Sequence, residues 1–77
     1  MHSEQVAALN KIIAMIDKKA TEYKADYMRL TTAQRVAQKK LILDLVDDAE
    51  QLGNNMKPAP VEVLGDLRRL AQELSRL

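Results

Sequence analysis

Seventy-seven residues, nearly half apolar, under a third charged and with a formal net charge of +1, describe one small domain of globular composition. That balance excludes a disordered chain, and the net charge is too close to zero to point to a nucleic acid or a membrane surface as partner. With no Cys and one His (His2), neither a disulfide framework nor a Cys/His zinc site can form. Two Gly, two Pro, two Tyr and no Phe or Trp leave few turns and an aliphatic core, which argues for helices and against an all-β fold.

The first element is a long helix over residues 4–30. Val6, Leu9, Ile13, Ile16, Ala20, Tyr23, Tyr27 and Leu30 recur at alternating steps of three and four, an a/d seam that holds one side of a helix against another. Such a helix is about 40 Å long at 1.5 Å per residue, and it needs cover along its length. Ser3 is placed to be its N-cap, with Glu4 in the first turn where the helix dipole favours a carboxylate. Ala8, Ile12 and Met15 form a second stripe, read as core, which ends at Lys19, so the helix is broadly apolar in its first half and narrowly so in its second.

Thr31-Thr32-Ala33-Gln34 fits the S/T-x-x-Q capping box and starts a second helix, with the cap at either Thr31 or Thr32. This helix covers residues 33–52 on a seam of Gln38, Ile42, Leu45, Ala49 and Leu52, widened by Leu41 and Val46. Gly53 follows where a C′ glycine belongs. Two long helices joined by so short a turn form an antiparallel hairpin. Residues 53–59 are a connector stiffened by Pro58, and Pro60 fits the first position of a third helix, residues 60–77. That helix carries Val63, Leu67, Leu70, Leu74 and Leu77 at steps of four, three, four and three, with Gly65 costing about 1 kcal/mol relative to Ala.

The expected fold is all-α, a single domain over residues 1–77: a long antiparallel hairpin plus a shorter third helix. The apolar-rich halves of the first two helices meet at the open end, where the third makes a three-helix bundle. The two-helix tip then projects beyond it. Lys11, Lys18 and Lys19 are expected to lie near Asp44, Asp47, Asp48 and Glu50 across the hairpin, each exposed pair contributing about 0–1 kcal/mol.

No catalytic set is visible. Ser3 and the two Thr at the turn are explained as caps, no Gly-rich phosphate loop is present, and Asp44, Asp47 and Asp48 read as a solvated acidic face rather than a metal site. The expectation is therefore no enzyme, no cofactor and no metal. Residues 1–40 hold eight basic and four acidic side chains, and residues 41–77 four and seven, so the molecule is electrically polar with a positive tip. Tyr23 and Tyr27 fall on the thin half of the seam, where rings can pack while hydroxyls reach water. Tyr and Arg are enriched in binding hot spots. This makes Tyr23, Lys24, Tyr27, Met28, Arg29, Arg35, Lys39 and Lys40 the candidate partner-binding residues.

Leu67, Leu70, Leu74 and Leu77 are the candidates for self-association, as the zipper seam of a homodimer. The expected function is a small helical protein–protein interaction module of the adaptor, small-chaperone or inhibitor kind, with another protein as partner. The alternative is a nucleic-acid-binding protein using the basic tip, against which stands the lack of a recognition-helix pattern. A membrane-surface role for residues 60–77 is disfavoured, since Arg68, Arg69 and Arg76 are balanced by Glu62, Asp66 and Glu73. No signal-peptide pattern opens the chain and no apolar run could span a bilayer, so a cytoplasmic location is expected.

Overall fold

The computed structural model describes residues 2–77, and of His2 only the backbone; the His2 side chain lies outside the described part. Three helices follow one another: α1 (His2–Asp26), α2 (Thr32–Asn54) and α3 (Val61–Arg76), with a 3₁₀ turn at Tyr27–Arg29. The fold is the all-α three-helix arrangement the periodicity calls for, in an envelope of 43 × 19 × 16 Å.

The chain is helical by His2, so Ser3 sits inside the first turn and is not the N-cap. Starting earlier costs little, because the first N–H groups of a helix have no internal partner in either case. At the other end α-helix stops at Asp26, four residues short of Leu30. The 3₁₀ turn tightens the exit, and Leu30 is extended at φ −79°, ψ 142°. The Tyr27 carbonyl, freed from an α-helical partner, accepts a hydrogen bond from Arg35 Nε at 2.8 Å, so the start of α2 closes the end of α1.

Thr31 is the N-cap of α2. Its Oγ1 accepts from the Gln34 backbone N–H at 3.1 Å, and its own N–H donates to Gln34 Oε1 at 2.9 Å, the reciprocal box that S/T-x-x-Q implies. Gly53 does not break α2. It lies within the helix, is buried, and no glycine among the described residues has positive φ. Its role is close packing: a Cβ there would stand 2.9 Å from Leu64 Cδ2 and 3.5 Å from Pro60 Cγ, so α3 begins directly against this glycine. Pro60 is at the N-cap of α3 rather than its first helical position, its carbonyl accepting from Leu64 N–H at 3.0 Å. Met56, read as connector, is buried in the core.

The core joins all three helices through Leu9, Ile16 and Tyr23 of α1, Ile42, Val46 and Ala49 of α2, and Leu67 and Leu74 of α3. The third helix runs antiparallel to α2 and returns to the turn. Lys24 pairs with Glu73 at 3.0 Å, and the Tyr27 hydroxyl donates to the Leu77 carbonyl at 2.8 Å. A two-helix tip projecting past the bundle is therefore not what forms. From Gly53 to Arg35 is about 27 Å along α2 and from Leu64 to Leu77 about 20 Å along α3, and the Tyr27 side chain closes much of the difference.

The second stripe of α1 is not core either: Ile12 is half-buried, while Ala8 and Met15 are exposed. Nor do the charges pair across the hairpin as expected. The ion pairs among the described residues are Lys24–Glu73, Lys40–Asp44 and Asp66–Arg69, and none joins Lys11, Lys18 or Lys19 to the acids of α2. No helix among the described residues is long and apolar enough to cross a membrane.

Candidate interaction surface

The hairpin turn is built around two tyrosines one helical turn apart. Their rings meet edge to face, centroids 5.8 Å apart and planes at 89°, a favoured aromatic geometry. Tyr23 is fully enclosed, and its hydroxyl is buried without a hydrogen-bond partner. The expectation that both hydroxyls reach water fails for a physical reason: α3 extends over this part of the seam, so Tyr23 is interior. Tyr27 is half-buried. Its hydroxyl is taken by Leu77, and its ring carries the Arg35 guanidinium 4.1 Å above the centroid, within cation–π range. Arg35 is thus held twice, by the ring and by the Tyr27 carbonyl.

The eight candidate tip residues divide accordingly. Tyr23 belongs to the core, while Tyr27 and Arg35 lock the turn to α2 and α3. Lys24 and Lys40 are engaged in surface ion pairs with Glu73 and Asp44. Lys39 is half-buried on α2. Met28, 86 % exposed, and Arg29 stand free on the 3₁₀ turn.

Two further apolar side chains belong beside them. Val36 is 60 % exposed and follows Arg35, which holds Tyr27; Leu77 is 43 % exposed and receives the Tyr27 hydroxyl. Met28, Val36 and Leu77 are thus three exposed apolar side chains at the turn end of the hairpin. Val36 was legible as an apolar residue out of seam on the first turn of α2. Leu77 was read only as zipper. Of the proposed self-association seam, Leu67 and Leu74 are buried against the chain's own hairpin, and Leu70 packs partly against the same core. Those three leucines pack within the molecule, while Leu77 stays exposed.

Arg29, Arg76 and Lys39 give the turn end a positive rim, with Asp26 half-buried at its edge in the α1/α2 groove lined by Lys19, Glu22, Gln38 and Leu41. A second groove, between α1 and α3, is lined by Ile13, Ile16, Val63, Leu67 and Leu70 with Asp17 and Asp66 at its edge. Neither brings a nucleophile to a base. No group of three or more His, Cys, Asp or Glu among the described residues is placed to hold a metal ion, the Asp44, Asp47, Asp48 set included. No protein-family model, curated protein or solved structure is detectably similar to the chain.

Proposed function

We propose that the chain is a non-enzymatic interaction module of the cytoplasm that docks another protein at the turn end of its hairpin. The observation that carries this reading is the exposure of Met28, Val36 and Leu77 at the turn end that Tyr27 fastens, beside Arg29 and Arg76, which form no ion pair among the described residues. A well-anchored turn has little backbone entropy left to lose when its exposed apolar side chains are covered, which favours docking there. The basic rim favours an acidic segment with apolar anchors, such as an amphipathic helix laid across the turn.

The experiment is capture of partners from the native host by the wild-type chain and by the variant Met28→Glu/Arg29→Glu. Both side chains are exposed, so the substitution removes docking features without opening the core. A partner held by the wild type and released by the variant supports the reading. Equal capture by both overturns it. If capture disappears on nuclease treatment, the cations are contacting a phosphate backbone and the alternative reading takes its place.

A further inference from the structure

The groove between α1 and α3 combines an aliphatic floor with an acidic rim. Ile16 and Leu67 are its buried residues, and Ile13, Val63 and Leu70 leave part of their surface open to it. Val6, 42 % exposed, lies one heptad before Ile13 on the same line of α1 and carries the apolar strip about 10 Å further from the turn. The side-chain hydrogen bonds that tie the first helix and its 3₁₀ turn to α3, Lys24 to Glu73 and Tyr27 to Leu77, both lie at the turn end. Away from that end, no side-chain hydrogen bond among the described residues spans the groove.

The rim is anionic on both walls. Asp17 lines the groove from α1 and Asp66 from α3. The two helices run parallel, and one heptad nearer the turn the same two lines carry Lys24 and Glu73, which pair at 3.0 Å. Where that crossing sets cation against anion, the crossing at Asp17 and Asp66 puts carboxylates on facing walls. Glu62, one helical turn before Asp66, adds a third. Asp17 and Glu62 form no ion pair among the described residues, and Asp66 has only Arg69 of its own helix, in an exposed pair of the weak kind. Lys18 is turned about 100° round α1 from Asp17, and Lys19 lines the α1/α2 groove instead.

We infer that this groove takes a basic amphipathic helix of another protein. Its aliphatic stripe lies along Val6, Ile13, Val63 and Leu70, and its Lys or Arg side chains enter between Asp17 and the Glu62–Asp66 wall. The rim decides the charge of the occupant, because a cation set between facing carboxylates relieves their repulsion and an acidic segment adds to it. The shape decides its form. At about 290 Å³ and open on one side, the groove is small for a pocket that encloses a ligand, whereas the strip from Val6 to Asp17, about 16 Å long, matches three turns of a helix. A helix laid there becomes the fourth member of the bundle. This surface shares no residue with the turn end and has the opposite charge, so the inference stands apart from the docking reading proposed for the turn.

The test is a methyl NMR titration of the intact chain with a synthetic amphipathic peptide of about four helical turns, built from Leu, Ala and Lys, beside a matched peptide with Glu in place of Lys. The Lys peptide shifts the Ile13, Val63 and Leu70 methyl signals saturably, and the Glu peptide does not. Asp17→Asn/Glu62→Gln/Asp66→Asn, three changes at exposed side chains with helix content checked by circular dichroism, weakens binding at least about tenfold. Asp47→Asn/Asp48→Asn, on α2 outside the groove, and Met28→Glu/Arg29→Glu, at the turn, leave it unchanged. The inference is overturned if these methyls stay still up to about 1 mM Lys peptide, if both peptides move them alike, or if the triple variant binds as the wild type does. It is equally overturned if the same methyls shift with chain concentration alone, since a second copy then fills the groove.

Discussion

Removing the same oxygen from the two tyrosines has opposite consequences. Tyr23 has no exposed surface, and its hydroxyl is buried with no partner. Its burial forfeits hydrogen bonds to water, a desolvation penalty of about 1–3 kcal/mol for an unsatisfied polar group. Tyr23→Phe keeps the ring, and so the edge-to-face contact with Tyr27, while deleting the penalty. We expect stabilisation of about 1–2 kcal/mol. The Tyr27 hydroxyl instead donates to Leu77 at 2.8 Å in a partly exposed setting where water competes. Tyr27→Phe loses a bond with a net contribution of about 0.5–1 kcal/mol and unfastens the end of α3.

In a domain of this size 1 kcal/mol shifts the melting temperature by about 4–8 °C. The two variants should therefore melt on opposite sides of the wild type, Tyr23→Phe about 4–16 °C above it and Tyr27→Phe about 2–8 °C below. Thermal melts followed by circular dichroism, at one chain concentration and with urea midpoints as a check, resolve a gap of that size. Should Tyr23→Phe melt at or below the wild type, the hydroxyl is satisfied and the enclosure of Tyr23 by α3 is wrong.

Other substitutions probe separate features. Gly65→Ala should stabilise by about 0.5–1 kcal/mol, because the added methyl meets open space on α3; Gly53→Ala should lose that gain, since its methyl pushes Leu64, and both are read from urea midpoints. Thr31→Ala removes the capping box and should cost about 1 kcal/mol in the same titration, with Thr32→Ala close to neutral because Thr32 caps nothing. Leu74→Ala, at a side chain with no exposed surface, should cost about 2–5 kcal/mol and lower the hydrogen-exchange protection of α3 first.

Much of the architecture is legible in the chain because it is written over short distances. Leu9, Ile16 and Tyr23 repeat by heptads, and all three are buried. Thr31 and Gln34 are three residues apart and cap each other as their types demand. The turn end was legible as basic, and Met28 and Arg29 are free there. Gly53 misled, because a glycine after an apolar seam looks alike whether it ends a helix or admits a neighbour; only Leu64, from another helix, tells which. Val36 is visible in the sequence as an apolar residue out of seam, but its 60 % exposure follows from where the other helices lie.

Periodicity and cap chemistry act within a turn or two of the backbone, so the amino-acid order alone determined three helices, a capping box at the hairpin turn to within one residue and the antiparallel course of α1 and α2. The reach of α3 was decided by tertiary structure. It depends on the heights of three rods set by the Gly53–Leu64 contact, and on a hydrogen bond between Tyr27 and Leu77 that spans 50 residues. That reach encloses Tyr23 and buries Leu67 and Leu74 inside the molecule, while Met15 and Leu41 stay exposed. No local pattern encodes it, because it follows from how far one helix extends along two others.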